Sequence, residues 1–240
     1  MENLRMDDYF RSIGFGFPRT EVQLANFNRV HENFVFEGNE NAIDPIQILN
    51  SLKPVTNVDY HKRTVLAAEI VFQLQNENTI GHLKLQKLMY LCQHTTNMSL
   101  HTNFLKQAMG PYDPKLMRSI DKKLSENKWF RYTKGDFPQY KPLERVGGHG
   151  QWFSRYFDQE LNTINSLINT FRKVKGDKVE LVATVYACAL DAKRRKQIIS
   201  DTLIIQKVYA WSQYKEKFTE DRIKKAHQWM QEVGIYPNYN

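Results

Sequence analysis

The segment from Leu83 to Pro114, LKLQKLMYLCQHTTNMSLHTNFLKQAMGPYDP, constrains the fold of this chain more than any other stretch. Apolar residues recur there at the spacing of one helix face, on which lie Leu85, Leu88, Met89 and Cys92. After a polar break, the segment ends in Asp113-Pro114, an N-cap residue followed by proline at the first helical position. The sequence therefore predicts two successive helices joined by an irregular connection.

Helical periodicity and capping residues continue through the remainder of the chain. A helix is predicted over 62–76, and the last ninety residues predict one apolar stripe over 157–171 and three further helices. These three begin at a capping box of Asp177 with Glu180, at Ser200 and at Thr219. Aromatic residues flank a glycine turn between Trp129 and Tyr140, which favours a small β-hairpin. The predicted fold class is mainly α, with one small, winged-helix-like β-hairpin and a partly helical N-terminal arm.

The charge of the chain divides it into two parts. Residues 1–60 carry 5 Lys/Arg against 9 Asp/Glu, whereas the remaining residues carry 29 against 17. We expect an N-terminal arm and linker over 1–59, with one short helix that follows Thr20, and a helical domain over 60–240. A basic domain is typical of a protein that meets nucleic acid or an acidic partner protein. The positive charge can equally serve only to keep the surface soluble.

Several classes of protein do not fit the composition. No apolar run reaches about 18 residues, so that no membrane contact is expected. The N-terminus, MENLRMDDYF, lacks the basic and apolar segments of a secretory signal. The two cysteines, Cys92 and Cys188, do not form a disulfide framework, and the cytoplasm is therefore the expected location.

The sequence offers no convincing catalytic set. Cys92, His94 and His101 are close together, but a zinc site needs four converging ligands, and no second pair follows at short spacing. Both cysteines lie in apolar helical patterns, where a thiol is more often a packing residue than a nucleophile. The expectation is a protein that is not an enzyme and holds no metal and no cofactor.

Three features leave alternatives open. The run Lys193, Arg194, Arg195 and Lys196 comes where a helix ends, so these cations either complement the helix dipole or contact nucleic acid or an acidic protein. Gly147-Gly148-His149-Gly150 has the composition of a phosphate loop, but no Lys-Ser/Thr pair follows it, which favours a structural turn with an exposed His149. The basic and aromatic hairpin either covers the core or touches a DNA backbone.

The helix over Leu83 to Gln93 resembles the signature helix of the SocA-like antitoxin domain, also called the Panacea domain. Gly110-Pro111-Tyr112 is similar to the Gly-Pro-Val step that precedes the next helix in that family. The series GPYDP, NKWF, YKPLE, GGH and WFSRYF also resembles the form of this domain that is appended to specificity subunits of type I restriction–modification systems. The arm over 1–59 lies outside the family motif.

The resemblance implies a helical, non-catalytic interaction module of a bacterial or phage defence locus that binds and neutralises a toxin. The alternative is a DNA-binding accessory, or a component related to a specificity subunit, of a type I restriction–modification system. The expected partner is a toxin or a restriction-system subunit, with DNA as an alternative. The partner-binding candidates are Lys84, Lys87, Tyr90, Tyr112 and His149. We expect Lys84, Lys87 and Tyr90 to form an exposed basic and aromatic patch. The alternative is that Lys87 and its neighbour Gln86 make internal hydrogen bonds.

Overall fold

The computed structural model describes residues 55–134 and 138–237, which form eight α-helices, one short 3-10 helix and two antiparallel hairpins. The first helices are α1 (Asn57–Leu74), α2 (His82–Thr96), α3 (Pro114–Glu126) and α4 (Gly150–Tyr156). The later helices are α5 (Leu161–Phe171), α6 (Gly176–Arg194), α7 (Asp201–Tyr209), the 3-10 helix (Gln213–Lys217) and α8 (Glu220–Glu232). The strands are β1 (Leu105–Gln107), β2 (Gly110–Tyr112), β3 (Phe130–Thr133) and β4 (Gln139–Pro142).

The mainly helical fold with a small hairpin is confirmed. The predicted arm helix and most of the linker lie outside the described residues. Among the residues that are described, no helix is long and apolar enough to cross a membrane.

Helix α1 begins five residues earlier than the apolar pattern predicts. Thr56 and Asp59 form a reciprocal capping box, in which the Asp59 N–H donates to Thr56 Oγ1 at 3.2 Å and the Thr56 N–H donates to Asp59 Oδ2 at 2.8 Å. This pair satisfies two backbone donors at the helix start. The capping signal therefore sets where α1 begins, ahead of its first buried residues.

Helix α2 lies at the centre of the described domain and packs against α6, α5 and α1. Every residue from Lys84 to Gln93 is buried, so the helix has no solvent-facing side over these turns. A helix buried all round is normally apolar all round. Here the buried set includes two lysines and two glutamines, whose polar groups need partners inside the protein.

The two hairpins differ in how well the sequence predicts them. Strand β3 pairs with β4 in the register Phe130 with Pro142 and Thr133 with Gln139, which confirms the predicted hairpin. The hairpin of β1 with β2 was not predicted, because its strands have only three residues each and show no apolar alternation. It places the backbone of Gly110 and Pro111 beside α2 and α6.

The C-terminal half contains the predicted helices with two differences. The apolar stripe over 157–171 is helical only in α5, from Leu161 to Phe171, whereas Phe157 is the C-cap residue of α4. The predicted capping box of Asp177 with Glu180 is wrong, because α6 starts at Gly176 without a side-chain cap. The predicted caps are confirmed at Ser200 and Thr219, whose hydroxyls accept from Leu203 and Arg222 N–H groups.

Candidate functional site

The side chain of Lys87 connects α2 to the Gly-Pro step. Lys87 is completely buried, and its Nζ donates to the carbonyl oxygen of Pro111 at 2.5 Å. The same ammonium lies 5.9 Å from the ring centroid of Tyr112. Lys87 of α2 and the Gly-Pro step that follows this helix in sequence are therefore in direct contact.

Gly110 is required by both its backbone and its surroundings. Its φ of +91° lies in the region that side chains rarely adopt. A Cβ at this position would stand 2.7 Å from Thr184 Oγ1 and 3.5 Å from Lys87 Nζ. Because Gly110 has no side chain, the hairpin approaches α6 closely, and Lys87 reaches the carbonyl oxygen of Pro111.

The other polar residues of α2 hold further segments. Gln86 Nε2 donates to the Asp113 carbonyl at 2.8 Å, next to the point where α3 begins. Lys84 Nζ donates to Thr79 Oγ1 at 2.7 Å and to the carbonyls of Arg172 and Val174 at 2.8 and 3.0 Å. These two carbonyls follow the end of α5. Three polar residues of one helix thus bind the backbone of three other parts of the domain.

A buried ion pair lies close enough to Lys87 to act on its charge. Glu180 of α6 accepts from Lys215 Nζ at 2.6 Å and from Lys217 Nζ at 2.9 Å. Glu180 and Lys215 are both almost fully buried, whereas Lys217 is partly exposed. Sequence reasoning missed this cluster, because Glu180 was assigned to a helix cap and Lys215 lies in the polar run QYKEK, which looks like a surface turn.

Burial changes the proton affinity of the lysines. Desolvation lowers the pKa of Lys87 well below its usual value, and Lys215 lowers it further while Glu180 opposes the change. The pKa of Lys84 falls to about 8, mainly by desolvation. Burial also lowers the pKa of Lys215, although Glu180 counteracts it. Water hydrates a charged amine better than a protein interior does, which is the common cause.

The expectation of an exposed patch on α2 is wrong. Lys84, Lys87 and Tyr90 are at most 5% exposed, because their helix is covered on all sides. Tyr90 packs edge-on against Phe104 and Tyr186. Tyr112 is only partly buried, and burial raises its pKa. The alternative interpretation, in which Gln86 and Lys87 make internal hydrogen bonds, agrees with the structure.

His149 is also buried, contrary to expectation. Its ring is 1% exposed, and Nε2 lies 2.9 Å from Glu69 Oε2 of α1. The rings of Phe72 and Trp129 meet it edge-on at 5.4 and 5.5 Å between centroids. The glycine-rich segment therefore forms a turn that places the His149 ring inside the domain. This agrees with the interpretation of the segment as a structural turn and not a phosphate loop.

The basic run ends α6. Lys193 and Arg194 lie in its last turn, and Arg195 is the C-cap residue. Asp191 holds two cations, with Arg195 Nε at 2.8 Å and Lys207 Nζ of α7 at 2.5 Å. The position agrees with the helix-dipole interpretation. Contact of Lys193, Arg194, Arg195 and Lys196 with nucleic acid stays a prediction.

Both cysteines are packing residues in the described domain. Burial raises the pKa of the Cys92 and Cys188 thiols to about 12, so both are protonated near neutral pH. Within residues 55–134 and 138–237, no group of three or more potential metal ligands comes together.

Comparison of the chain with models of protein families gives no match. Comparison with curated proteins gives no significant match either.

Proposed function

We propose that this protein is a non-catalytic interaction module of a bacterial or phage defence locus. Its role is that of an antitoxin, which binds a toxin protein in the cytoplasm and neutralises it. The proposal starts from the resemblance of Leu83–Gln93 and of Gly110-Pro111-Tyr112 to the SocA-like (Panacea) domain. That resemblance implies protein binding without catalysis.

The observation that carries the proposal is the contact between the two segments of resemblance. Lys87 donates to the Pro111 carbonyl, and Gln86 donates to the Asp113 carbonyl, so the helix and the step form one interlocked unit. Residues that are distant in sequence and share a family pattern are expected to meet in this way. The motif then defines a rigid scaffold, and the surface that recognises a partner lies outside it.

The chemistry of the described domain supports binding over turnover. Its lysines at the motif are engaged with backbone carbonyls, and its thiols are buried and protonated. A nucleophilic cysteine needs a lowered pKa and access to substrate. Neither Cys92 nor Cys188 meets these requirements.

The experiment is affinity capture of the tagged full chain from its native cells, with nuclease present, followed by mass spectrometry. We expect one small protein in stoichiometric amount. Expressed alone, that protein should arrest growth, and coexpression of this chain should restore it. Recovery of methyltransferase or restriction subunits would contradict the antitoxin role.

A second candidate function is a DNA-binding accessory of a type I restriction–modification system. The basic end of α6 is the observation that favours it. This function predicts affinity for duplex DNA that falls steeply with salt, since phosphate contacts release counterions. Replacing Lys193, Arg194 and Lys196 by Glu should then abolish binding. Arg195 is left intact because it pairs with Asp191.

A further inference from the structure

Ile198 protrudes from the connection between α6 and α7. It is 92% exposed, whereas the other exposed large hydrophobic residues of the described chain are 36–52% exposed. The next residue, Ile199, packs against the hydrophobic core, so this connection has an apolar anchor of its own. Single exposed aliphatic residues are common on protein surfaces. The exposure of Ile198 is therefore informative only in combination with the backbone and the charges beside it.

The backbone that carries Ile198 is held on both sides. The Lys196 N–H donates to the Lys193 carbonyl at 2.9 Å, and the Gln197 N–H donates to the Ala192 carbonyl at 2.9 Å. This pair of bonds is a Schellman motif, which closes the end of a helix. Beyond Ile198, the Ser200 hydroxyl caps α7. The backbone of this connection therefore loses little conformational freedom when Ile198 is bound.

Lys196 occupies a position that favours glycine. Its φ of 54° is left-handed, as expected for the residue after the C-cap, where glycine avoids the steric penalty of a Cβ. The chain places an exposed lysine there instead, two residues before Ile198. Arg194, in the last helical turn, is exposed as well. Two exposed cations thus precede an exposed aliphatic side chain on a fixed backbone.

We propose that Ile198, with Lys196 and Arg194, is the anchor of a docking surface for a protein partner that presents an apolar pocket with an acidic rim. An apolar anchor that is surrounded by charged residues is typical of protein interfaces. This inference rests on the proposed function and assigns the surface that the toxin contacts.

Other polyanions fit this surface less well. Proteins that bind duplex DNA tightly commonly make on the order of six to ten phosphate contacts. Here Asp191 already holds Arg195 and Lys207, and its charge offsets one of their two charges. An anionic membrane would require a continuous apolar helix face beside the cations. The connection supplies one exposed aliphatic side chain, Ile198, because Ile199 packs against the core.

The test places a photo-crosslinking residue at the anchor in the full chain, expressed in native cells, as Ile198→p-benzoyl-phenylalanine. The control position is Val146, which is 40% exposed in the loop before α4. We expect one protein adduct at position 198, with the crosslinked peptide rich in Asp and Glu, and no such adduct at position 146. An adduct with nucleic acid or lipid at position 198 would overturn the proposal. So would an adduct in which the same partner protein is crosslinked at position 146 alone.

Two pairs of variants separate binding from folding. Ile198→Ala should weaken capture of the partner about tenfold without changing the melting temperature. Ile199→Ala should lower the melting temperature while the folded protein keeps its affinity. Lys196→Gly and Lys196→Glu should both weaken capture, the second more strongly, although glycine suits the backbone better.

The outcomes distinguish the two proposals. If wild-type protein captures a toxin, and Ile198→Ala and Lys196→Glu capture it equally well, the docking surface is wrong and the proposed function stands. If wild-type protein captures no protein at all, the proposed function fails together with this inference.

Discussion

The ammonium group of Lys87 in α2 lies 2.5 Å from the carbonyl oxygen of Pro111, inside the domain and away from solvent. A hydrogen bond from a buried amine to a backbone carbonyl is worth more than one at the surface, because an unpaired group there would be strongly penalised. This contact joins α2 to the hairpin that precedes α3. It therefore holds together two elements that are more than twenty residues apart in sequence.

The buried lysines contribute to the free energy of unfolding an amount that increases as the pH rises above neutrality, whereas the buried thiols of Cys92 and Cys188 contribute an amount that decreases above about pH 8.5. An amine whose pKa is lower in the folded state binds fewer protons when folded, so the free energy of unfolding increases with pH. For Lys84, whose pKa is about 8, the increase falls between pH 8 and about 10.4, the value in unfolded chains. Urea unfolding at several pH values measures the slope.

Lys87→Met should flatten that slope, since it removes one of the groups whose lowered pKa makes them bind fewer protons when folded. Each such proton contributes up to about 1.4 kcal/mol per pH unit. The matched control is Lys225→Met, because the Lys225 side chain is 72% exposed. If Lys87→Met keeps the full slope of the wild-type protein, the buried amine is not the source of the pH dependence.

Gly110→Ala should destabilise the domain by about 2–4 kcal/mol, through backbone strain and overpacking. The new Cβ would lie 2.7 Å from Thr184 Oγ1 at a φ of +91°. The double variant with Thr184→Ala should recover part of the loss, because it removes the atom that is met first. Gly150→Ala is the control, since a Cβ there meets nothing within 4 Å. Equal melting temperatures for Gly110→Ala and Gly150→Ala would contradict this reasoning.

Glu180→Ala should destabilise the domain by about 3–5 kcal/mol, because it leaves the buried Lys215 without its counter-ion. The comparison is Asp177→Ala, which removes the partner of Arg222 from an exposed pair. Such a pair contributes about 1 kcal/mol or less. Chemical denaturation of both variants measures the difference, and similar losses would show that the burial of Glu180 has no energetic consequence.

The thiols of Cys92 and Cys188 should resist alkylation by iodoacetamide at pH 8 in the folded protein. Both are buried, with pKa values raised to about 12, so the reactive thiolate is scarce and inaccessible. In urea both should react at the rate of an ordinary cysteine. Rapid labelling of either thiol in the native protein would indicate an accessible nucleophile and reopen the question of catalysis.

Local signals were sufficient for most of the secondary structure. The caps at Asp113, Ser200 and Thr219 and the hairpin of β3 with β4 follow from residues a few positions apart, whose interactions are nearly the same in any fold. Gly234, with φ of +70°, directly follows the C-cap residue of α8, a position where glycine is common in any fold.

Burial of the charged residues depended on the tertiary structure. Lys84, Lys87 and His149 look like surface residues in a helical or glycine-rich pattern, because a polar or charged side chain without a partner is normally left in water. They are buried because distant backbone carbonyls accept hydrogen bonds from the two lysines, and the carboxylate of Glu69 pairs with His149. Such partners come from elements far along the chain, and only the packing of α2 against α1, α5 and α6 brings them within reach. The pairing of Glu180 with Lys215 has the same origin, since neither residue carries a local signal of the other.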